Sequence, residues 1–159
     1  MNIFHDSIVI KESDLPDSIG RDGFCILEIT EQVEACVEKA KICSGFVVVQ
    51  SCHTTMALAI NEFESGLSED LHNVFDKLIP HNRDDYRHNN LLTRTEKLDP
   101  GGIERRDGHS HCRAILLQPS LSIIIRGGTL FLAQWQSILA FELDGPRESR
   151  EIAVCVMGE

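Results

Sequence analysis

The chain has 159 residues, 42% hydrophobic and 25% charged, with a formal net charge of −10. That composition is that of a globular chain rather than a disordered, fibrous or membrane-embedded one. At this size about two-thirds of the unfolded surface can be buried, so one core forms without disulfides or a structural metal. The acidic balance excludes nucleic acid and anionic membrane as main partners, because both require a basic surface that displaces counterions.

In chain order, residues 7–11 and 23–29 read as short strands in a hairpin-like start, separated by a loop rich in Asp, Pro and Gly from Asp14 to Gly23. Thr30 can cap a helix whose apolar positions Val33, Cys36, Val37 and Ala40 recur at helical spacing, with Gly45 marking the exit. Residues 46–49 and 56–60 read as strands joined by the polar segment Gln50-Ser51-Cys52-His53-Thr54-Thr55. A second helix is expected to start near Ser65 or Ser68, to place Leu67, Leu71, Val74, Phe75 and Leu78 on one face with His72 beside it, and to stop before Pro80.

Residues 81–107 turn polar and read as a long loop of the kind that carries function. Ser110 can cap a short helix through Leu117, ended by Pro119. Strands over 121–126 and 129–143 flank Gly127-Gly128, Asp144-Gly145-Pro146 makes a turn, and residues 150–157 form a last strand, apolar on both faces and therefore central. Strands outnumber helices without βαβ alternation, so the fold class expected is α+β: one domain over 1–159, a largely antiparallel sheet with helices packed on it.

Six scattered cysteines without a C-x-x-C fit reduced core thiols. No apolar run approaches the roughly 18–20 residues of a membrane span, and residues 1–10 lack the basic and apolar regions of a secretory signal, so the expected compartment is the cytoplasm. Charge is uneven along the chain. Residues 1–80 carry 5 basic and 14 acidic side chains, whereas residues 81–159 carry 10 and 11, nine of the ten bases being arginine. Arginine's planar fork suits phosphate and carboxylate, which leaves room for a local anion site; surface ion pairing is the competing reading.

The clearest chemical feature is His109-Ser110-His111, whose alternate imidazoles would share one face of a strand. Two histidines make an incomplete shell, and a zinc site with an open position needs a third protein ligand. His53 and His88 stand in polar segments, with Asp107 or Glu62 available as carboxylate ligand or orienting group; histidines bonded structurally are the alternative. Cys52 and His53 are chain neighbours whose side chains point apart on an extended backbone, which argues against a thiolate dyad. The signatures of serine hydrolases, P-loops and Rossmann cofactors are absent. Glu142, Asp144, Arg147 and Arg150 bracket the Asp-Gly-Pro turn, where a carboxylate can move a proton and arginines can hold an anion. Trp135, between Gln134 and Gln136, is expected in the core or at a cleft or subunit contact.

Several local patterns coincide in order: His53-Thr54-Thr55 with Ile60-Asn61-Glu62; Tyr86-Arg87-His88; Asp107-Gly108-His109-Ser110-His111; Gln134-Trp135-Gln136; and Asp144-Gly145-Pro146-Arg147. Together they resemble the YjbQ family, known largely as secondary thiamine-phosphate synthases, over residues 7–158. The resemblance implies a sandwich-like α+β domain assembled as a homotrimer, with a pocket near a subunit boundary. It implies a divalent metal, zinc first, on His53, His88 and His111, with Glu62, Asp107 and Arg147 as catalytic candidates; other residues occur at the position of His109. The family's arginine run after the turn is interrupted here by Glu148 and Ser149, which weighs against a strongly basic anion site there. The function implied is a metal-dependent enzyme with thiamine-phosphate synthase as a side activity, acting on small phosphorylated metabolites. The alternatives are a metal-assisted hydrolase of a small anionic metabolite and a non-catalytic trimeric metal- or ligand-binding protein.

Overall fold

The computed structural model describes residues 1–16, 23–98, 100–101 and 103–159. Its elements run β1 (Asn2–Lys11), β2 (Cys25–Glu28), α1 (Thr30–Ala40), β3 (Ser44–Ser51), β4 (Met56–Asn61), α2 (Ser65–Leu78), α3 (Gly108–Ala114), β5 (Ser120–Arg126), β6 (Thr129–Leu130), β7 (Ser137–Glu142) and β8 (Ser149–Gly158), with 3-10 turns at Glu12–Asp14 and Arg87–Asn89. Two antiparallel sheets result, ordered β1-β8-β3-β5-β6 and β2-β7-β4.

Alternation sets the layers. Ile8, Val49, Ile123 and Val154 point from the five-stranded sheet onto Leu58 and Ile138 of the three-stranded sheet and onto Val33 and Val37 of α1. On the opposite face of the three-stranded sheet, Phe24, Leu139 and Phe141 pack against Phe75 of α2. The central strand β7 is therefore buried on both faces, which explains its continuous apolar run. The fold is α+β, as its composition and pattern predict. Among the described residues no helix is long and apolar enough to cross a membrane.

Several local expectations are corrected. β1 and β2 do not form a hairpin: β1 pairs with β8 and β2 with β7, in different sheets. The middle of the loop between them, residues 17–22, lies outside the described residues. Thr30 lies within α1 rather than capping it; its hydroxyl accepts the Ile138 N–H at 2.9 Å and donates to Glu28. The helix exits through Lys41 in a left-handed conformation, φ 55°. Gly45 instead sits inside β3, where a Cβ would lie 2.0 Å from the Met157 carbonyl of β8. The cap of α2 is Glu64, which accepts the Gly66 and Leu67 N–H groups at 2.8 Å each, holding its carboxyl below the usual range. Val74 and Leu78 at the edge of that helix's stripe are exposed.

The expected strand over 129–143 divides into β6 and β7, one in each sheet, because the chain crosses between them. In the crossing, Ala133 donates its N–H to Gln136 Oε1 and Gln136 donates its own to the Ala133 carbonyl. Trp135 therefore leaves the core and is 68% exposed, with Gln134 and Gln136 exposed beside it. β8 is central, between β1 and β3. Its inner face is buried, while Ala153, Cys155 and Met157 are half-buried on the outer one.

Candidate metal centre

α3 is the element that organises the site, and Gly108 is the reason it can. A Cβ there would lie 3.0 Å from Tyr86 Cβ and from Asn89 Oδ1, and 3.3 Å from His88 Cβ. Glycine thus lets the 3-10 turn at Arg87–Asn89 press against the start of the helix, where Asn89 Oδ1 accepts the Gly108 N–H at 2.9 Å. Asp107 stands at the N-cap position, and His111 follows four residues later on the same helix face.

The result is a cluster of three donors. His88 Nε2 lies 3.3 Å and His111 Nε2 3.8 Å from Asp107 Oδ1, and the two imidazole rings are 4.6 Å apart. One ligand atom from each of His88, Asp107 and His111 falls within 4.8 Å of the others. A tetrahedral zinc with bonds of about 2.0–2.1 Å separates its ligand atoms by about 3.3 Å, so these donors fit a divalent ion with slight closure. Burial pushes the His111 imidazole below its ordinary pKa despite the pull of Asp107, favouring the neutral form that a metal requires.

Arg147 and Asp144 adjoin the cluster. Arg147 donates to Asp107 Oδ2 at 3.4 Å and from Nε to Asp144 Oδ2 at 2.9 Å, with a second bond from its other nitrogen to the same oxygen. Buried Asp144 also pairs with Arg105 at 3.3 Å, and its N–H is accepted by Glu142 at 2.9 Å. Glu142 is itself clamped by the buried Arg150, which bonds the Thr55 hydroxyl at 3.0 Å. This chain of charge-assisted bonds fixes the turn after β7 against the segment after β3.

His53 lies in that segment, on the wall of a cleft of about 650 Å³ shared with Cys52, Met56, His111, Ile115 and Leu117. Its Nε2 accepts the Glu151 N–H at 2.8 Å, and burial, with Arg150 nearby, pushes its pKa down. Asp107 and Arg147 line a second, smaller cleft of about 210 Å³ with Lys97, Glu104 and Arg105. The donor cluster thus stands between an apolar cleft and a cationic one. Glu62 is not brought to this place: it follows β4 at the end away from Thr55, about 20 Å along the strand.

The histidine pair His109 and His111 does not share a face, because it lies on a helix rather than a strand. His109 turns inward, 5% exposed, with its ring against His81 and Tyr86 and its Nε2 3.1 Å from Ser110 Oγ. Sequence reading missed Asn89, Asp144 as the clamp of two arginines, and Arg94, which donates to Glu104 at 3.0 Å and to the carbonyls of His88, Glu96 and Lys97. The signal for Asn89 and Arg94 is weak, since a loop has no periodicity to mark which polar residues turn inward.

A sequence profile of the family described as UPF0047 protein YjbQ-like matches residues 19–159. A UPF0047 protein of Archaeoglobus fulgidus is 39% identical over 127 residues, covering 80% of this chain and 87% of the relative. A crystal structure from Sulfolobus solfataricus, described as a YbjQ-like protein of unknown function, superposes with a TM-score of 0.80 at 31% identity, covering 99% of each chain. A hypothetical protein of Aeropyrum pernix gives a TM-score of 0.78 at 29% identity over 98% of this chain and 99% of the other.

Proposed function

The chain belongs to the UPF0047 YjbQ-like family, and from that premise we propose that it is a divalent-metal enzyme of small phosphorylated metabolites, with thiamine-phosphate synthesis as a side activity. In that reaction the carbon–oxygen bond to a pyrimidine diphosphate breaks, its electron pair leaving with pyrophosphate, and a carbon–nitrogen bond forms to the thiazole phosphate. The observation that carries this reading is the position of the donor cluster between two unlike clefts, one apolar enough for a heterocycle and one cationic enough for a diphosphate.

His88, Asp107 and His111 would hold the ion, zinc as first candidate; His53, expected as a ligand, is not in that group and lines the cleft that His111 reaches, its Nε2 taken by the Glu151 N–H. A bound divalent ion supplies Lewis-acid stabilisation of a departing oxyanion or a water of lowered pKa. Arg147, aimed at Asp107 and held by Asp144, orients an anionic group beside the cluster. Asp107 faces both imidazole Nε2 atoms with one oxygen while the other meets Arg147, so the carboxylate would be the shared member of the donor set, held in place by the guanidinium.

The same reading includes a homotrimer. It is supported by an apolar row across the five-stranded sheet, where exposed Ile3, Phe46 and Ile124 stand in register with half-buried Met157. The second reading, metal-assisted hydrolysis, is favoured by the three-donor set, which leaves a coordination position for water.

The test supplies zinc-loaded protein with both substrates and follows pyrophosphate and coupled product. Product formation that Arg147→Gln abolishes at unchanged metal content supports the synthase reading. Phosphate release from a single substrate points to the hydrolase. Loss of thermal stability on chelation without any turnover leaves the binding protein.

A further inference from the structure

Among the described residues, the smaller cleft holds one cation more than its carboxylates neutralise. Arg94 is committed to Glu104 of the cleft wall, and Arg105 to Asp144 and to the carbonyls of Asp144, Gly145 and Pro146. Arg147 is committed to Asp144 and Asp107. Lys97 lines the same cleft and has no ion pair among the described residues. It is also the only lysine after residue 80 in a stretch where every other base is arginine.

Its place is built rather than incidental. The Lys97 backbone adopts φ 53°, a left-handed conformation uncommon for a side chain without a local hydrogen bond, and its carbonyl accepts from Arg94 at 2.6 Å. Arg94 is tied in turn to the carbonyl of His88, a member of the donor cluster. One guanidinium therefore fixes the lysine relative to the candidate metal centre. On a molecule of net charge −10, which repels anions at long range, an ammonium at the cleft wall with no carboxylate partner among the described residues is what a phosphorylated ligand needs.

We propose that Lys97 is the phosphate-binding residue of this cleft and determines its preference for substrates with a terminal phosphate. This rests on the reading of the cluster and its two clefts as one site. Arg105 positions the wall, Arg147 orients the anionic group beside the cluster, and the ammonium, a mobile point charge, meets the terminal phosphate oxygens.

The test titrates inorganic phosphate into the full chain, with and without zinc, by calorimetry. Lys97→Ala is expected to lower phosphate affinity about tenfold at unchanged melting temperature and metal content, and Lys97→Arg to restore most of it. Equal affinity in Lys97→Ala, or no phosphate binding by the wild type, overturns the proposal. Lysine-dependent phosphate binding in a wild type that takes up no zinc would keep this inference and remove the metal-enzyme reading.

Discussion

Asp107 is approached on both oxygens, by two imidazoles at one and a guanidinium at the other. An imidazole in such a place gains from the carboxylate and loses from burial, and for His111 burial wins, so its pKa is depressed. The sign follows. The unfolded chain takes up the proton first as pH falls, so the stability this group contributes is complete above about pH 6.5 and is lost as pH drops toward the depressed native value. His53 shares the direction. The metal-free protein is predicted to keep a constant melting temperature from pH 8 to 7 and to lose stability below 6.5. His111→Gln should reduce that slope, and an unchanged slope in scanning fluorimetry would count against it. The thiols divide in the same physical way. Burial pushes Cys25 up to about 12 and Cys36 up to about 11, while Cys43, Cys52 and Cys112 are exposed. Iodoacetamide at pH 8 should label those three in the native protein and spare Cys25 and Cys36 until denaturant is added, as mass spectrometry of the peptides would report.

At the scale of elements, the site depends on one close approach, that of the 3-10 turn to the start of α3 at Gly108. Gly108→Ala places a methyl against Tyr86 and His88. It is expected to cost about 1–3 kcal/mol of stability and to weaken zinc binding about 10–100-fold by displacing His88. Chelator competition measures the affinity, and wild-type affinity in this variant would sink the argument. The same region shows what the sequence could and could not reveal. Histidines two apart invite a strand reading, but on a helix the informative spacing is four, Asp107 to His111, and His109 is carried round into the core. α1 and α2 were legible from their apolar periodicity, since that signal is local. The partners of β1 and β2 were not, because each pairs with a strand more than a hundred residues away and register carries no local mark.

Across the whole molecule, the α+β class and the antiparallel strands were legible in sequence, but the division into two sheets came only with the family resemblance, and the strand buried on both faces is β7 rather than the last one, whose outer face is half-buried. The crossing at residues 131–136 was not legible, because its apolar residues mimic a strand while Trp135 and Phe131 face outward. Those side chains, with the row through Phe46 and Ile124, leave apolar surface exposed on the five-stranded sheet, which is where the proposed trimer would make its contact. The proposed trimer is therefore predicted to sediment as such in the wild type and as monomers in Phe46→Glu; a monomeric wild type, or a trimer unaffected by that charge, would contradict this placement. The proposed chemistry requires His88, Asp107 and His111 to hold a divalent ion. Elemental analysis of the purified protein should find about one zinc per chain, lost in His88→Ala and His111→Ala. A wild type purified without metal that takes up none when zinc is added would contradict it.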